Sequence, residues 1–174
     1  MLRHVMLVLV VVTIGPAARA AQRVIVVPSD ARGPGAKAVA RAAEKAMVLQ
    51  LSASPGVEAS SAVGRRAKLL QRCVKDEECL RKVKGRLDAD LLLHGSVHKS
   101  RRQVVVEIAL ISAKNGERVA QERATSPRPK NVPAQTAELA QRLVMAHVAR
   151  VAKPVAPAPV ASGPVRQAAD NEEP

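Results

Sequence analysis

The chain has 174 residues, of which 47% are hydrophobic, and it contains no Phe, Tyr or Trp. Without aromatic side chains it offers no platform for stacking a sugar ring, a base or a quaternary ammonium, which argues against lectin-like and single-strand nucleic-acid-binding functions. Its formal net charge of +13 predicts attraction to anions such as phosphorylated lipids, nucleic acids or acidic proteins, unless the basic residues only form a solvated surface.

The first 20 residues have the layout of a secretory signal peptide. A short basic start precedes the apolar run Val5–Ile14, and the sequence "ARA" supplies a cleavage site of the A-x-A type. The apolar run is too short to span a bilayer, which takes roughly 20 residues. We therefore expect cleavage between Ala20 and Ala21, and a periplasmic or secreted mature protein without a membrane span.

The first half of the mature chain predicts two strands and two helices. "RVIVVPSD" (residues 23–30) is an apolar run typical of a strand buried on both faces, and we expect Pro28 to end it. After the turn "ARGPGAK", a helix is expected from about Gly35 to Ser52, with Leu49 on its apolar side. A weak strand over residues 57–63 and a short helix over residues 65–73 follow.

The second half predicts a helix, three strands and a long helix. Asp76 is the expected N-cap of a helix that ends near Gly85. "DLLLHGSVHK" (residues 90–99) predicts a strand in which Gly95 marks a bulge or a close backbone approach. A second strand over residues 103–112, a type I′ hairpin turn at Asn115-Gly116 and a charged edge strand come next. The last helix is expected from Pro133 to about Ala152.

The element order β-α-β-α-α-β-β-β-α predicts a single α/β domain over residues 21–152, with helices packed on a mixed sheet. From residue 153 the sequence "KPVAPAPVASGPVRQAADNEEP" is rich in Pro and Ala and ends with acidic residues. Such a composition cannot supply a core, so we expect residues 153–174 to form a disordered or extended tail.

The only two cysteines, Cys73 and Cys79, lie six residues apart in "RCVKDEEC". On one continuous helix they would be about 9 Å apart along the axis, beyond the roughly 7 Å that a disulfide tolerates. A chain break at "VKDE" would bring them together, and export favours oxidation, so a structural disulfide is our main interpretation. The alternatives are free thiols and a metal or redox role. A metal site would lack ligands, since His94 and His98 would lie about 13 Å apart, too far to bind one ion.

No catalytic motif is present, and we expect neither an enzyme nor a cofactor or metal site. "RGPGAK" lacks the spacing of a phosphate-binding loop. It still places cations at a helix start, where an anion could bind. The candidate anion contacts are Arg32, Lys37, Arg41, Arg101 and Arg102.

The sequence resembles the amino-terminal domain of TolB over about residues 22–151. The matching features are Pro28 after a strand, the turn Gly33-Pro34-Gly35, Ala89-Asp90 before a strand with Gly95 and Val97, and the turn Asn115-Gly116. The same α/β fold occurs in the curli secretion protein CsgG and in lipoprotein activators of peptidoglycan synthases. TolB carries a β-propeller after this domain, where this chain has its tail. The resemblance implies a periplasmic, non-enzymatic interaction domain.

Two functions follow from the sequence. The first is an exported interaction domain that binds an envelope protein through a sheet edge or a helix face. The second is a polyanion binder for lipopolysaccharide, an anionic polymer or extracellular DNA. Clustering of the basic runs "RRAK", "RKVKGR", "HKSRR" and "RPK" on one face would favour the second function. The sequence does not indicate an oligomeric state.

Overall fold

A computed structural model describes residues 21–152, so the predicted signal peptide and the predicted tail lie outside the described residues. The elements are β1 (Gln22–Arg32), α1 (Ala36–Ser52), β2 (Val57–Ser61), α2 (Gly64–Cys73), α3 (Glu77–Val83), β3 (Leu91–Lys99), β4 (Val104–Ser112), β5 (Arg118–Ser126) and α4 (Val132–Ala152). Short 3₁₀ turns follow α3 and precede α4. The predicted element order is confirmed.

The five strands form one mixed sheet in the order β2-β1-β3-β4-β5. β1 is parallel to β2 and to β3, while β4 is antiparallel to both β3 and β5. The predicted mixed-sheet α/β fold is therefore confirmed. β2 and β5 are the two edge strands, as expected for β5 from its charged sequence.

The sheet has helices on both faces. On the face covered by α1 and α4, called here the α1 face, a large aliphatic core includes Val26, Leu93 and Leu110. On the opposite face, called here the α2 face, Ile25, Leu92 and their neighbours pack against α2 and α3.

The buried stripe of α1 differs from the predicted one. Its members recur every three or four residues and are Ala36, Ala40, Ala43, Met47 and Leu51. Leu49 lies outside this stripe and is 63% exposed, so its predicted place on the apolar side is wrong. The first part of this stripe consists of small alanines, and Met47 and Leu51 supply its larger side chains toward the end of the helix.

The disulfide bond between Cys73 and Cys79 joins the end of α2 to α3, with the two Cα atoms 5.0 Å apart. Asp76 supplies the chain break between these helices. Its carboxylate accepts hydrogen bonds from the backbone N–H groups of Glu78 and Cys79 at 2.9 and 3.1 Å, which is the predicted N-cap. The bond fixes α3 where Leu80 enters the core of the α2 face.

The strand β1 does not end at Pro28, because a bulge carries it on to Arg32. Val27 pairs with His94 and Asp30 pairs with Ser96, so Pro28 and Ser29 together lie opposite Gly95. A bulge is one of the few places in a sheet that tolerates Pro, which lacks an N–H to donate. The N–H of Ser29 instead donates to a carboxylate oxygen of Glu44 on α1, at 2.6 Å. The prediction that Pro28 ends the strand was wrong for this reason.

Gly95 lets the backbone of β3 approach Ser29 of β1 closely, which is the close approach predicted from a glycine within a strand. A Cβ atom at this residue would lie only 2.8 Å from the hydroxyl oxygen of Ser29. The bulge itself is in β1, and Gly95 provides the space for it.

The hairpin between β4 and β5 is also confirmed, but its predicted turn type is wrong. Among the described residues only glycines have positive φ, so Asn115 does not adopt the conformation that a type I′ turn requires. The N–H of Gly116 donates to the carbonyl of Ser112 across a longer turn. Gly116 has φ +77°, and its Cβ position would be 3.1 Å from Leu80, so α3 packs directly on the turn.

We predict that Gly95→Ala destabilises the domain by about 1–3 kcal/mol, since the new methyl group collides with Ser29 in a packed sheet. Ser29→Ala in the same chain should restore part of that loss, because it removes the colliding oxygen. Urea unfolding of the single and double variants measures both effects. The control is Gly85→Ala, where no atom lies within 4 Å of the new Cβ. Equal unfolding free energies for the Gly95 and Gly85 variants would contradict the account of the bulge.

Candidate functional site

One end of the sheet gathers cations from three separate segments. β1 and β3 end there, the loop joining β3 to β4 lies there, and so does the connection from β5 to α4. The segments 31–43, 98–106 and 124–137 together contain eight Lys and Arg residues and no Asp or Glu. These eight residues, called here the basic rim, are Arg32, Lys37, Arg41, Lys99, Arg101, Arg102, Arg128 and Lys130.

The basic rim is a continuous feature because its loops touch. A side chain at Gly33 would collide with the carbonyl of Lys99, and the ammonium of Lys99 lies 3.2 Å from the Cβ position of Gly35. The turn before α1 therefore packs against the end of β3. Within residues 21–152 no member of the rim forms an ion pair with a carboxylate.

The structure brings the five predicted anion contacts to this one end. Arg101 and Arg102 form the exposed loop after β3, and Lys37 and Arg41 lie on successive turns of α1. Arg32 differs from the other four residues. It lies opposite His98 in the sheet and lines a cavity on the α2 face. Lys99, Arg128 and Lys130 belong to the same group but were not predicted as anion contacts, since only the sheet register places them there.

The four basic runs do not all cluster. "HKSRR" and "RPK" belong to the basic rim, whereas "RRAK" begins α2 and "RKVKGR" spans α3 and its 3₁₀ turn on the other side of the sheet. The basic surface is thus concentrated at one end but is not confined to it.

A second feature is a cavity of about 380 Å³ on the α2 face, beyond the part that α2 and α3 cover. Its walls come from β1, β3, β4, β5 and the residues after α2. They carry Asp30, Arg32, Lys75, Glu107 and Arg118, and Val74, Ala109 and Ile111 form an apolar floor.

Asp30 enters this cavity because of the bulge in β1. An uninterrupted strand would turn Asp30 and Arg32 toward the α1 face, since side chains alternate between faces. The extra residue instead directs both toward the cavity and keeps Ala31 against the core of the α1 face. Asp30 forms an ion pair with Lys75. Burial would raise the pKa of Asp30, but the hydrogen bond and charge of Lys75, with the charge of His94, hold it below its ordinary value.

His94 also lines this cavity. Burial lowers the pKa of its imidazole, the nearby carboxylates of Asp30 and Glu107 oppose this effect, and Lys75 and Arg118 reinforce it. The ring is therefore neutral at pH 7. Its Nε2 atom is buried and has no hydrogen-bond partner among the described residues. Such an atom typically costs about 1–3 kcal/mol when it stays unpaired.

Residues 21–152 contain no group of three or more His, Cys, Asp or Glu side chains placed to hold a metal ion. None of the helices over the same residues is both long and apolar enough to cross a membrane.

No family model matches the sequence. No curated protein matches it either. Solved structures do match the fold. Lipoprotein GNA1162 from Neisseria meningitidis is 18% identical over 77% of this chain and 99% of its own, with a TM-score of 0.48. Protein XCC0632 from Xanthomonas campestris is 12% identical over 77% of this chain and 89% of its own, with a TM-score of 0.50.

TolB from Acinetobacter baumannii has a TM-score of 0.51 at 10% identity, and the match covers 74% of this chain and 29% of TolB. Identities this low show the fold alone. The resemblance inferred from the sequence is confirmed at that level: the chain has a TolB amino-terminal-like fold.

Proposed function

We propose that this chain is an exported, non-enzymatic interaction domain of the cell envelope, periplasmic or secreted, that binds a protein partner along the outer edge of β5. The observation that carries the proposal is this nine-residue edge strand, which pairs with β4 on one side and with no described strand on the other. The TolB amino-terminal-like fold supports a role in the envelope.

The backbone of β5 presents its hydrogen-bonding groups at regular positions. The N–H of Ser100 donates to the carbonyl of Gln103 at 2.9 Å, so these residues form a hydrogen-bonded pair at the hairpin loop. Pairs alternate along antiparallel strands, so Val105, Glu107 and Ala109 bond toward β3. Their partners on β5 are Thr125, Arg123 and Gln121, whose peptide groups therefore point to the outer edge.

The other edge strand, β2, is a poorer docking site. It has five residues against nine in β5. At about 3.3 Å per residue, β5 offers an edge of roughly 30 Å and β2 one of roughly 17 Å. An added strand would gain more backbone hydrogen bonds at β5, which is why we assign the partner to that edge.

We predict that Arg123→Pro abolishes partner capture from an envelope extract while the domain stays folded. Proline removes an N–H that points outward, and edge strands tolerate it at such positions. The matched control is Arg123→Ala, which removes the charged side chain but keeps the N–H. The measurement is capture on immobilised residues 21–174, with circular dichroism to check folding.

Capture that survives in Arg123→Pro, or that is lost equally in Arg123→Ala, would contradict pairing along the edge. Failure of the wild-type chain to retain any discrete protein would contradict the proposed function as a whole.

A second function, polyanion binding, is favoured by one specific observation. The segments 98–106 and 124–137 of the basic rim contribute five cations and no acidic residue, whereas Lys37 and Arg41 line a hollow together with Asp30 and Glu44. The helices α1 and α4 also begin at this end, and neither has an acidic residue in its first turn. The positive ends of the helix dipoles therefore add to the field of the side chains.

We predict that Arg101→Glu with Arg102→Glu weakens binding of a short DNA duplex, used as a generic polyanion, and lowers its salt dependence. Each lost phosphate contact should reduce the slope of log K against log salt by about 0.9. The control variant, Arg65→Glu with Arg66→Glu, makes the same charge change on α2. Fluorescence anisotropy across a salt series gives both slopes. Equal loss in the two variants would show that net charge, rather than the rim, governs binding.

A further inference from the structure

The cavity on the α2 face is built from four strands, and its volume of about 380 Å³ is in the range of small-ligand sites. The outer edge of β5 lies elsewhere, and Arg32 is the one member of the basic rim that lines the cavity, so neither proposed function uses this cavity as its binding surface. It combines an apolar floor with polar side chains that converge from several elements. That combination is typical of a pocket that binds a small molecule.

The wall carries charges of both signs. Arg32, Lys75 and Arg118 are cationic, while Asp30 and Glu107 are anionic. Gln121 links the two signs: its side-chain oxygen accepts a hydrogen bond from Arg118 at 2.6 Å, and its nitrogen donates to the carboxylate of Glu107. Gln121 thus holds Arg118 and Glu107 in place.

This charge pattern discriminates between ligands. A simple anion would lie against two carboxylates, and a simple cation would lie against three cations. Asp30 and Lys75 already pair with each other, so a molecule with both charges can pair its ammonium with Glu107 and its carboxylate with Arg118.

The apolar floor limits what the rest of the ligand can be. Val74, Ala109 and Ile111 are at most 8% exposed, and they present a small aliphatic surface. Ala109 leaves room that a larger residue on β4 would occupy. The floor therefore suits a ligand with a short aliphatic side chain.

We propose that this cavity binds a small zwitterionic molecule of the amino-acid or short-peptide class, with a free amine and a free carboxylate.

The test is a titration of residues 21–174 with the dipeptide Ala-Ala, followed by ¹H–¹⁵N NMR. We expect saturable shifts in the amide signals of His94, Ser96 and Ala109. N-acetyl-Ala-Ala and Ala-Ala-amide each lack one charge and should bind about tenfold or more weakly, a difference of about 1.4 kcal/mol.

Two variants make the test specific. Ala109→Leu fills the floor and should abolish the shifts, whereas Ala42→Leu makes the same change at an exposed position on α1 and should leave them unchanged. Because Ala109→Leu could disturb folding, Glu107→Gln provides a second variant of nearly constant shape. It removes one carboxylate and should bring the affinities of Ala-Ala and its N-acetyl form close together.

The proposal is overturned by the absence of saturable shifts, by equal binding of the free and blocked dipeptides to the wild-type chain, or by shifts confined to the basic rim. None of these results bears on partner capture at β5, so the two proposals fail separately.

Discussion

The bulge in β1 is the constraint on which the rest of this structure depends. Residues 28 and 29 lie together opposite Gly95, and this extra residue decides which side chains of β1 face the core. Without it, the charges of Asp30 and Arg32 would turn toward α1, where burial of unpaired charge is costly. With it, Ala31 packs against the core and both charges reach the α2 face. The space left by Gly95 and the hydrogen bond from Ser29 to Glu44 hold the bulge in place.

The uneven cover of the sheet produces the surfaces that could bind other molecules. α1 and α4 pack along the α1 face, whereas α2 and α3 are short and cover only part of the α2 face. The disulfide and the contact of α3 with the β4–β5 turn fix these short helices at one end. Beyond them the sheet remains open as a cavity with charged walls, and within residues 21–152 no strand pairs with the outer edge of β5.

The sequence was informative where local chemistry decides the structure. Apolar runs located the strands, Asp76 located a helix start, and Gly95 indicated a close approach. It failed where contacts distant in sequence decide. Pro28 was predicted to end β1, but the strand continues because a bulge opposite Gly95 accommodates the proline. Asn115 was predicted to form a type I′ turn, but the chain forms a different turn, on which α3 packs at Gly116. The cavity escaped prediction because its charged residues come from four strands, and only the register and the bulge bring them together.

The measurement that tests the interaction role most directly is amide hydrogen exchange of residues 21–174, free and bound to the partner purified from an envelope extract. We expect the amides of Gln121, Arg123 and Thr125 to exchange rapidly in the free domain, since their N–H groups point to the outer edge, and to become protected in the complex. Protection confined to the basic rim, with β5 unchanged, would contradict it and would make the charged end of the sheet the binding surface.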